Sequence, residues 1–354
     1  MRKQFRAISL FSGAGGMDVG FEKAGVKVVL ANELMQYAAE TYKMNHPDSI
    51  VLNNDINKVL YDLYNMKNID IVFGGPPCQG FSVAGKMNPD DERSRLIFTF
   101  LDVVKHLKPK AFVMENVKAL AKLDRWKDVR SRYLNNALEA GYTCVPFVLN
   151  AADYGVSQKR ERVFFIGIKN TLFFENELWE LIYQKKEKPQ TVKELLRVLG
   201  RAGSVEHPAT CTAKITFATN PIMRKSPYAG MYFNGQGRPI NLDGCANTLP
   251  ASMGGNKTPF LDEDYLYDVS EEDWVVGYHK ALMNNSVVPK FKEAPRRLRR
   301  ITLKEAAKIQ SFPDEYIFCG NKASIYTQIG NAVPCKLAYV VANALVQYLD
   351  KHEV

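Results

Sequence analysis

The chain has 354 residues, a formal net charge of +9, 46% hydrophobic and 24% charged residues. That length and balance exclude a disordered or fibrous chain and leave room for a full core and two domains. Six cysteines are scattered with no Cys-x-x-Cys pair. This argues against a structural zinc site or a disulfide framework, so no metal is expected and a reducing cytoplasm fits. No apolar run approaches the length of a membrane span. The basic start (Arg2, Lys3, Arg6) reads as the lead-in to a first strand rather than a targeting segment. The positive balance agrees with a nucleic-acid partner without establishing one.

In chain order, short β-branched runs alternate with helical spacing through the first half. Strands are expected at residues 7–11, 26–31, 50–52, 69–73, 111–114, 143–149 and 163–168, and helices at 17–24, 34–44, 96–107 and 129–140. Repeated β-α-β units predict an α/β fold, a doubly wound, mostly parallel sheet. From about residue 171 the pattern dissolves into a stretch rich in Gly, Asn, Pro, Ser and Thr, with a helical piece at 192–199. This predicts a second, smaller, loop-rich domain. Helical spacing returns at 302–311 and 336–349. The expected boundaries are 1–185 plus 325–354 for the sheet domain and 186–324 for the second.

The stretch Gly75-Pro76-Pro77-Cys78-Gln79-Gly80-Phe81-Ser82 follows the fourth apolar run. Two prolines fix φ and remove backbone donors, so the thiol of Cys78 sits on a stiff turn that presents it rather than buries it. A thiol filling a gap beside a turn is the commoner use of a lone cysteine. Glu115 closes the fifth strand, and adjacent fourth and fifth strands would bring it beside Cys78. Arg160 and Arg162, two apart, share one face of an extended segment and suit anion or carbonyl recognition. The turn Phe11-Ser12-Gly13-Ala14-Gly15-Gly16 follows strand one and opens a helix, as in nucleotide-binding turns, but no Walker lysine follows. Glu33 and Asp55-Ile56 lie just past strands two and three, where carboxylates can meet a ribose and an adenine. Each acid alone reads better as a surface group or helix cap; it is the combination that points to a nucleoside ligand.

Together and in this order, these motifs resemble those of the DNA (cytosine-5)-methyltransferases. The resemblance covers the chain outside about residues 172–290. It implies S-adenosylmethionine as cofactor and a Rossmann-like catalytic domain with a target-recognition domain. It also implies a cofactor site of Phe11, Gly13, Gly15, Gly16, Glu33, Asp55, Ile56, Pro77, Leu96, Asn331 and Ala332. Leu34 departs from the family, where an aromatic often follows the ribose-binding Glu. Pro77-Cys78-Gln79 corresponds to the nucleophile motif, Glu115-Asn116-Val117 to the acid motif and Gln158-x-Arg160-x-Arg162 to the arginine motif. Residues 300–313 resemble the segment that organises target recognition, and Gln328 to Pro334 the closing motif.

The implied chemistry is attack of the Cys78 thiolate on C6 of a flipped cytosine, and methyl transfer to C5. Glu115, kept partly protonated by burial, would hold N3 and the exocyclic amine. Arg162 would meet O2, and Arg160 a phosphate or Glu115. The loop from Ser82 to Arg95 would close over the DNA. Base reading is expected from residues 230–258, with Arg238, Thr248, Gly254 and Gly255, and phosphate contact from Arg296 and Arg297 in the basic run 290–300. The acidic residues between 262 and 273 read as a solvated face turned away from any polyanion. The expected partner is double-stranded DNA, the expected form a nucleoid-associated cytoplasmic monomer, with a cognate restriction endonuclease that forms no stable complex. Other readings are a tRNA cytosine methyltransferase (the Cys-Phe-Thr segment usual there is missing), an inactive DNA-binding module, and a Rossmann-type oxidoreductase.

Overall fold

Strict alternation along the strands sorts apolar side chains onto two faces of one sheet. On the central strands Ala7, Ile71, Phe73, Ala111 and Val113 face one core, while Ile8, Leu10, Val72, Phe112 and Met114 face another. The structure, a computed structural model, describes residues 4–77, 92–169, 173–268 and 271–352. Cys78, Gln79 and the rest of the segment through Asp91 lie outside the described residues.

The sheet comprises β1 (Arg6–Leu10), β2 (Lys27–Asn32), β3 (Ile50–Leu52), β4 (Ile71–Gly74), β5 (Ala111–Val117), β6 (Tyr142–Asn150) and β8 (Glu161–Lys169); β7 (Gln158–Lys159) is a two-residue strand outside it. Its order is β3-β2-β1-β4-β5-β8-β6, with β1 to β5 parallel and β8 antiparallel to both neighbours. Switching from β1 back to β4 opens a crevice at the carboxyl ends of these strands, where ligands bind in such folds.

Helices α1 (Gly16–Lys23), α7 (Glu175–Tyr183) and α13 (Cys335–Lys351) cover the first face. α3 (Leu60–Tyr64), α4 (Glu92–Leu107) and α6 (Lys127–Glu139) cover the second. The mostly parallel α/β sheet expected from the sequence is therefore present, while α3 and α7 were not expected. Residues 322–351 taken together are long and apolar enough to cross a membrane, but two thirds of the most apolar window is buried. They form two helices, α12 (Lys322–Asn331) and α13, broken at Ala332–Pro334.

Beyond the sheet, two further cores lie between residues 192 and 329. One gathers Leu196, Leu242, Leu266 and Ile309 around α8 (Val192–Arg197) and α11 (Leu303–Ile309); the other gathers Tyr232, Phe233, Phe260 and Tyr278. Capping boxes start both helices: Thr191 with Glu194, and Thr302 with Glu305. The expected boundary at 325 falls inside α12, whose Tyr326 and Ile329 belong to the second region's core. Val333 already belongs to the sheet domain.

Candidate active site

Gly74 at the end of β4 pairs with Met114 of β5, so the turn after β4 and Glu115 emerge side by side. A Cβ on Gly75 would stand 3.0 Å from Glu115 Oε2, so the turn passes close to that carboxyl. The buried Asn116 donates from Nδ2 to the Pro76 carbonyl at 3.2 Å and ties the double-proline turn to β5. The nucleophile candidate Cys78 and its neighbour Gln79 lie one and two residues past the half-buried Pro77, outside the described residues.

Arg162 stands opposite Val117 on β8, and its Nε meets Glu115 Oε1 at 2.8 Å with both side chains mostly buried. Burial pushes the Glu115 carboxyl above its ordinary range, while Arg162 and Arg160 pull it down. Desolvation wins, so the neutral carboxyl is favoured more than at an exposed glutamate.

Of the two partners expected for Arg160, Glu115 feels its charge, while the phosphate does not fit. Arg160 is buried and donates to the backbone carbonyls of Leu249 at 3.1 Å, Gly330 at 2.8 Å and Asn331 at 3.4 Å. A guanidinium committed to three carbonyls joins chain segments; it is not presented to a phosphate. Around it lies a polar node that the sequence reading missed. Gln158 accepts from Leu249 N at 2.9 Å and donates to Gln310 Oε1 at 2.8 Å. Gln310 in turn donates to the carbonyls of Ile329 and Ala332. Gln158 and Gln310 stood inside the recognised motifs, but nothing in sequence marked them as partners.

At the other end of the edge, Glu33 is buried, with Oε2 accepting from Gly13 N at 2.8 Å and Oε1 from Met35 N at 2.7 Å. Each oxygen keeps lone-pair capacity. Burial raises the Glu33 carboxyl, and amides of Met35, Gly13 and Leu34 oppose the rise. Beside it Leu34 is 62% exposed, a large apolar side chain with its face open. Asp55 caps a short helical turn through Oδ1, which accepts from Asn57 N and Nδ2. Its Oδ2 has no partner among the described residues. Leu96 packs partly against the sheet core, Ala332 is half-buried and Asn331 is exposed.

Two cofactor assignments change meaning. The Ile56 side chain is buried in the core, so only its backbone remains for a ligand. The glycines divide as well. Gly13, at φ 56°, has nothing within 4 Å of where a Cβ would be. A Cβ on Gly15 would strike His46 and Tyr316, and one on Gly16 would strike Val333 and Ala332. Gly15 and Gly16 are thus accounted for by intramolecular packing, and Gly13 alone faces open space. Phe11 also has positive φ, 54°, and is half-buried. Strained backbone of this kind clusters at ligand sites.

The DNA-reading candidates are spread over the second region. Arg238 is exposed and has no side-chain partner among the described residues. Thr248 is exposed and donates to the Lys159 carbonyl at 2.7 Å, where the short strand Ala246–Asn247 pairs with β7. Gly254 (φ 140°) and Gly255 (φ 52°) adopt backbone that favours glycine. Arg296 is exposed. Arg297 corrects the expectation: its Nε meets Asp262 at 2.9 Å and its Nη1 meets Glu271 at 2.7 Å. The acidic residues expected to face away are the partners of the basic run, and Arg299 likewise pairs with Glu263 and Glu305.

The sequence profile of the C-5 cytosine-specific DNA methylases matches residues 5–347. The chain belongs to that family. Curated relatives include the Type II methyltransferases M.Eco47II of Escherichia coli, 32% identical over 98% of this chain and 80% of its own, and M.NgoPII of Neisseria gonorrhoeae, 31% identical over 98% and 96%. A prophage-encoded E. coli protein assigned as a DNA modification methyltransferase shares the fold at TM-score 0.69 and 24% identity, covering 98% of this chain and 99% of its own. Dnmt2 of S. pombe does so at 0.65 and 16%, covering 99% and 100%. This family member is therefore an enzyme of the DNA (cytosine-5)-methyltransferase type.

Proposed function

We propose that the enzyme takes a methyl group from S-adenosylmethionine and places it on C5 of a cytosine within a specific duplex DNA sequence. The observation that carries this reading is the buried Glu115–Arg162 pair beside the double-proline turn that leads to Cys78. Family membership and the Type II relatives support it, and the same relatives favour a role in restriction–modification.

The residues fit the cofactor. Glu33 retains two lone pairs for two ribose hydroxyls, Asp55 retains Oδ2 for an adenine amine, and Leu34 and Phe11 offer apolar surface for the purine. Gly13 leaves room for close backbone approach. Bound there, the cofactor would supply an electrophilic methyl group on a sulfonium.

The rest falls to the chain. Cytosine C5 is a weak nucleophile. The Cys78 thiolate bonds to C6 and pushes electron density to C5. Glu115, its carboxyl raised by burial, gives a hydrogen bond or proton to N3, where negative charge would otherwise build. Arg162 orients Glu115 and donates to the O2 carbonyl of the base. After transfer, water takes the C5 proton as the Cys78–C6 bond breaks by β-elimination, and the N3 proton returns to Glu115, which restores the ring and frees Cys78. The base must leave the stack for this, which costs a few kcal/mol. Arg238 reads base edges and Arg296 meets phosphate.

Cys78→Ser decides the chemistry. It should abolish methyl transfer, leave cofactor binding intact, and stop formation of a covalent adduct with DNA containing 5-fluorocytosine, which the parent enzyme should form. Adduct formation by the variant, or none by the parent, refutes the nucleophile.

A further inference from the structure

Beneath the glycine turn lies a polar chain, centred on the buried His46, that none of the roles above uses. His46, at the carboxyl end of α2 (Gln36–Asn45), places Nδ1 2.8 Å from Glu22 Oε2 of α1 and Nε2 3.0 Å from the Tyr316 hydroxyl. The Tyr316 hydroxyl donates to the carbonyl of Ala14, inside the turn. Tyr316 is held from outside: Asn45 exchanges two hydrogen bonds with the backbone of Ile317, at 2.7 and 2.9 Å, and Cys319 N donates to Thr41 Oγ1 at 2.8 Å.

The hydrogen-bond inventory fixes the protons. A carbonyl only accepts, so the single Tyr316 proton goes to Ala14. Tyr316 must then accept from His46, which puts a proton on Nε2. The Glu22 carboxylate, partly exposed, also only accepts, which puts a proton on Nδ1. The full chain therefore exists only with an imidazolium. Its packing agrees: the His46 ring fills the space that a Cβ on Gly15 would need, so the turn is gripped from below while Gly13 stays open above.

We propose that His46, acting through Tyr316 on the Ala14 carbonyl, is a positioning residue that holds the turn 11–16 in the shape that receives the cofactor. This rests on the cofactor reading given above. The groups facing His46 are Glu22 and Asp18 on α1, Tyr42 on its own helix, its ring 4.3 Å away, and Tyr316; Cys335 of α13 lies near Asp18 and Tyr316. Glu22 and Asp18 hold the imidazole above its ordinary value against the opposing pull of burial. The sign follows. The grip is complete below the ordinary imidazole range and is lost as pH rises through the raised value.

The test is calorimetric titration of S-adenosylmethionine into parent, Tyr316→Phe and His46→Gln, each from about pH 6 to 9, with Glu33→Ala as control. Tyr316→Phe should weaken binding about tenfold at low pH, as expected for one charge-assisted hydrogen-bond chain. Parent affinity should fall as pH rises, and both variants should show no such fall. His46→Gln keeps a donor for Tyr316 and should bind more tightly than Tyr316→Phe. His46→Gln removes the imidazole and keeps Asp18, Glu22 and Cys335, so a pH step surviving in it comes from those groups and overturns the role of His46; a step surviving in Tyr316→Phe, which keeps His46, overturns the route through Tyr316. Parent-like affinity in Tyr316→Phe overturns it too. If Tyr316→Phe does not fold, the pH profile of His46→Gln decides alone. A weakened Glu33→Ala beside an unaffected Tyr316→Phe sinks only this inference, whereas a parent that does not bind the cofactor sinks the cofactor reading and this inference with it.

Discussion

At the carboxyl edge of the sheet, Glu33 and Asp55 take backbone or neighbouring amides as partners and keep oxygen lone pairs for something else. In the basic run 290–300 the pattern is reversed. Arg297 and Arg299 are occupied by Asp262, Glu263, Glu271 and Glu305, and the buried Arg300 by the carbonyls of Thr258 and Lys214 and the side chain of Asn234. Both regions look like ligand sites in sequence. The difference teaches that a charged residue is available to a ligand only after its internal partners have been counted. The arginine motif repeats the lesson at short range: Arg162 faces Glu115 in the crevice, while Arg160, two residues away, is consumed by backbone.

The arginine pair offers the largest effect. If Arg162 donates to the reacting base as proposed, Arg162→Ala should lower kcat by about a hundredfold or more, with a modest change in Tm. Arg160→Met should instead unfold at lower temperature, losing about 2–3 kcal/mol as buried carbonyls go unsatisfied. Matched kinetic and thermal losses in the two would erase the distinction.

A buried acid at the glycine-turn end sharpens the comparison further. Asp18 is fully buried; its Oδ1 accepts from Tyr42, and its Oδ2 has no partner among the described residues. Desolvation pushes its carboxyl from 3.8 up to about 6. A raised carboxyl favours the protonated fold, so its ionisation costs nothing below about pH 3.8 and the full amount above about pH 6. Asp18→Asn should therefore stabilise the protein at pH 8 by up to about 3 kcal/mol and much less at pH 4. Urea midpoints at the two pH values measure this, and an equal gain at both would mean the carboxyl is not the titrating group.

The smallest effects test the basic run. Arg297→Ala leaves the buried Asp262 without its guanidinium and should cost about 1–3 kcal/mol of stability, with little change in the salt dependence of DNA binding. Arg296→Ala should do the opposite, reducing the slope of log affinity against log salt by about one with Tm unchanged. Arg238→Ala should relax target preference in methylation profiling. A salt slope altered by Arg297→Ala would return that residue to the DNA interface.

The strand runs, helices and order of motifs were legible because each is a local signal. Alternating apolar residues predict buried strands, and a glycine turn or a double proline predicts backbone shape wherever the chain goes next. Adjacency of the fourth and fifth strands followed from the doubly wound pattern, and with it the meeting of Glu115 and the turn before Cys78. Pairing over long separations could not be read that way. His46 and Tyr316 are 270 residues apart, Gln158 and Gln310 are 152, and Arg297 meets an acidic segment that composition alone sends elsewhere. Sequence supplied the residue types and the edge of the sheet on which they gather. Which charges remain open to a ligand was decided by tertiary packing, because a hydrogen bond or ion pair depends on distance in space and burial from water, and neither is written in the order of residues.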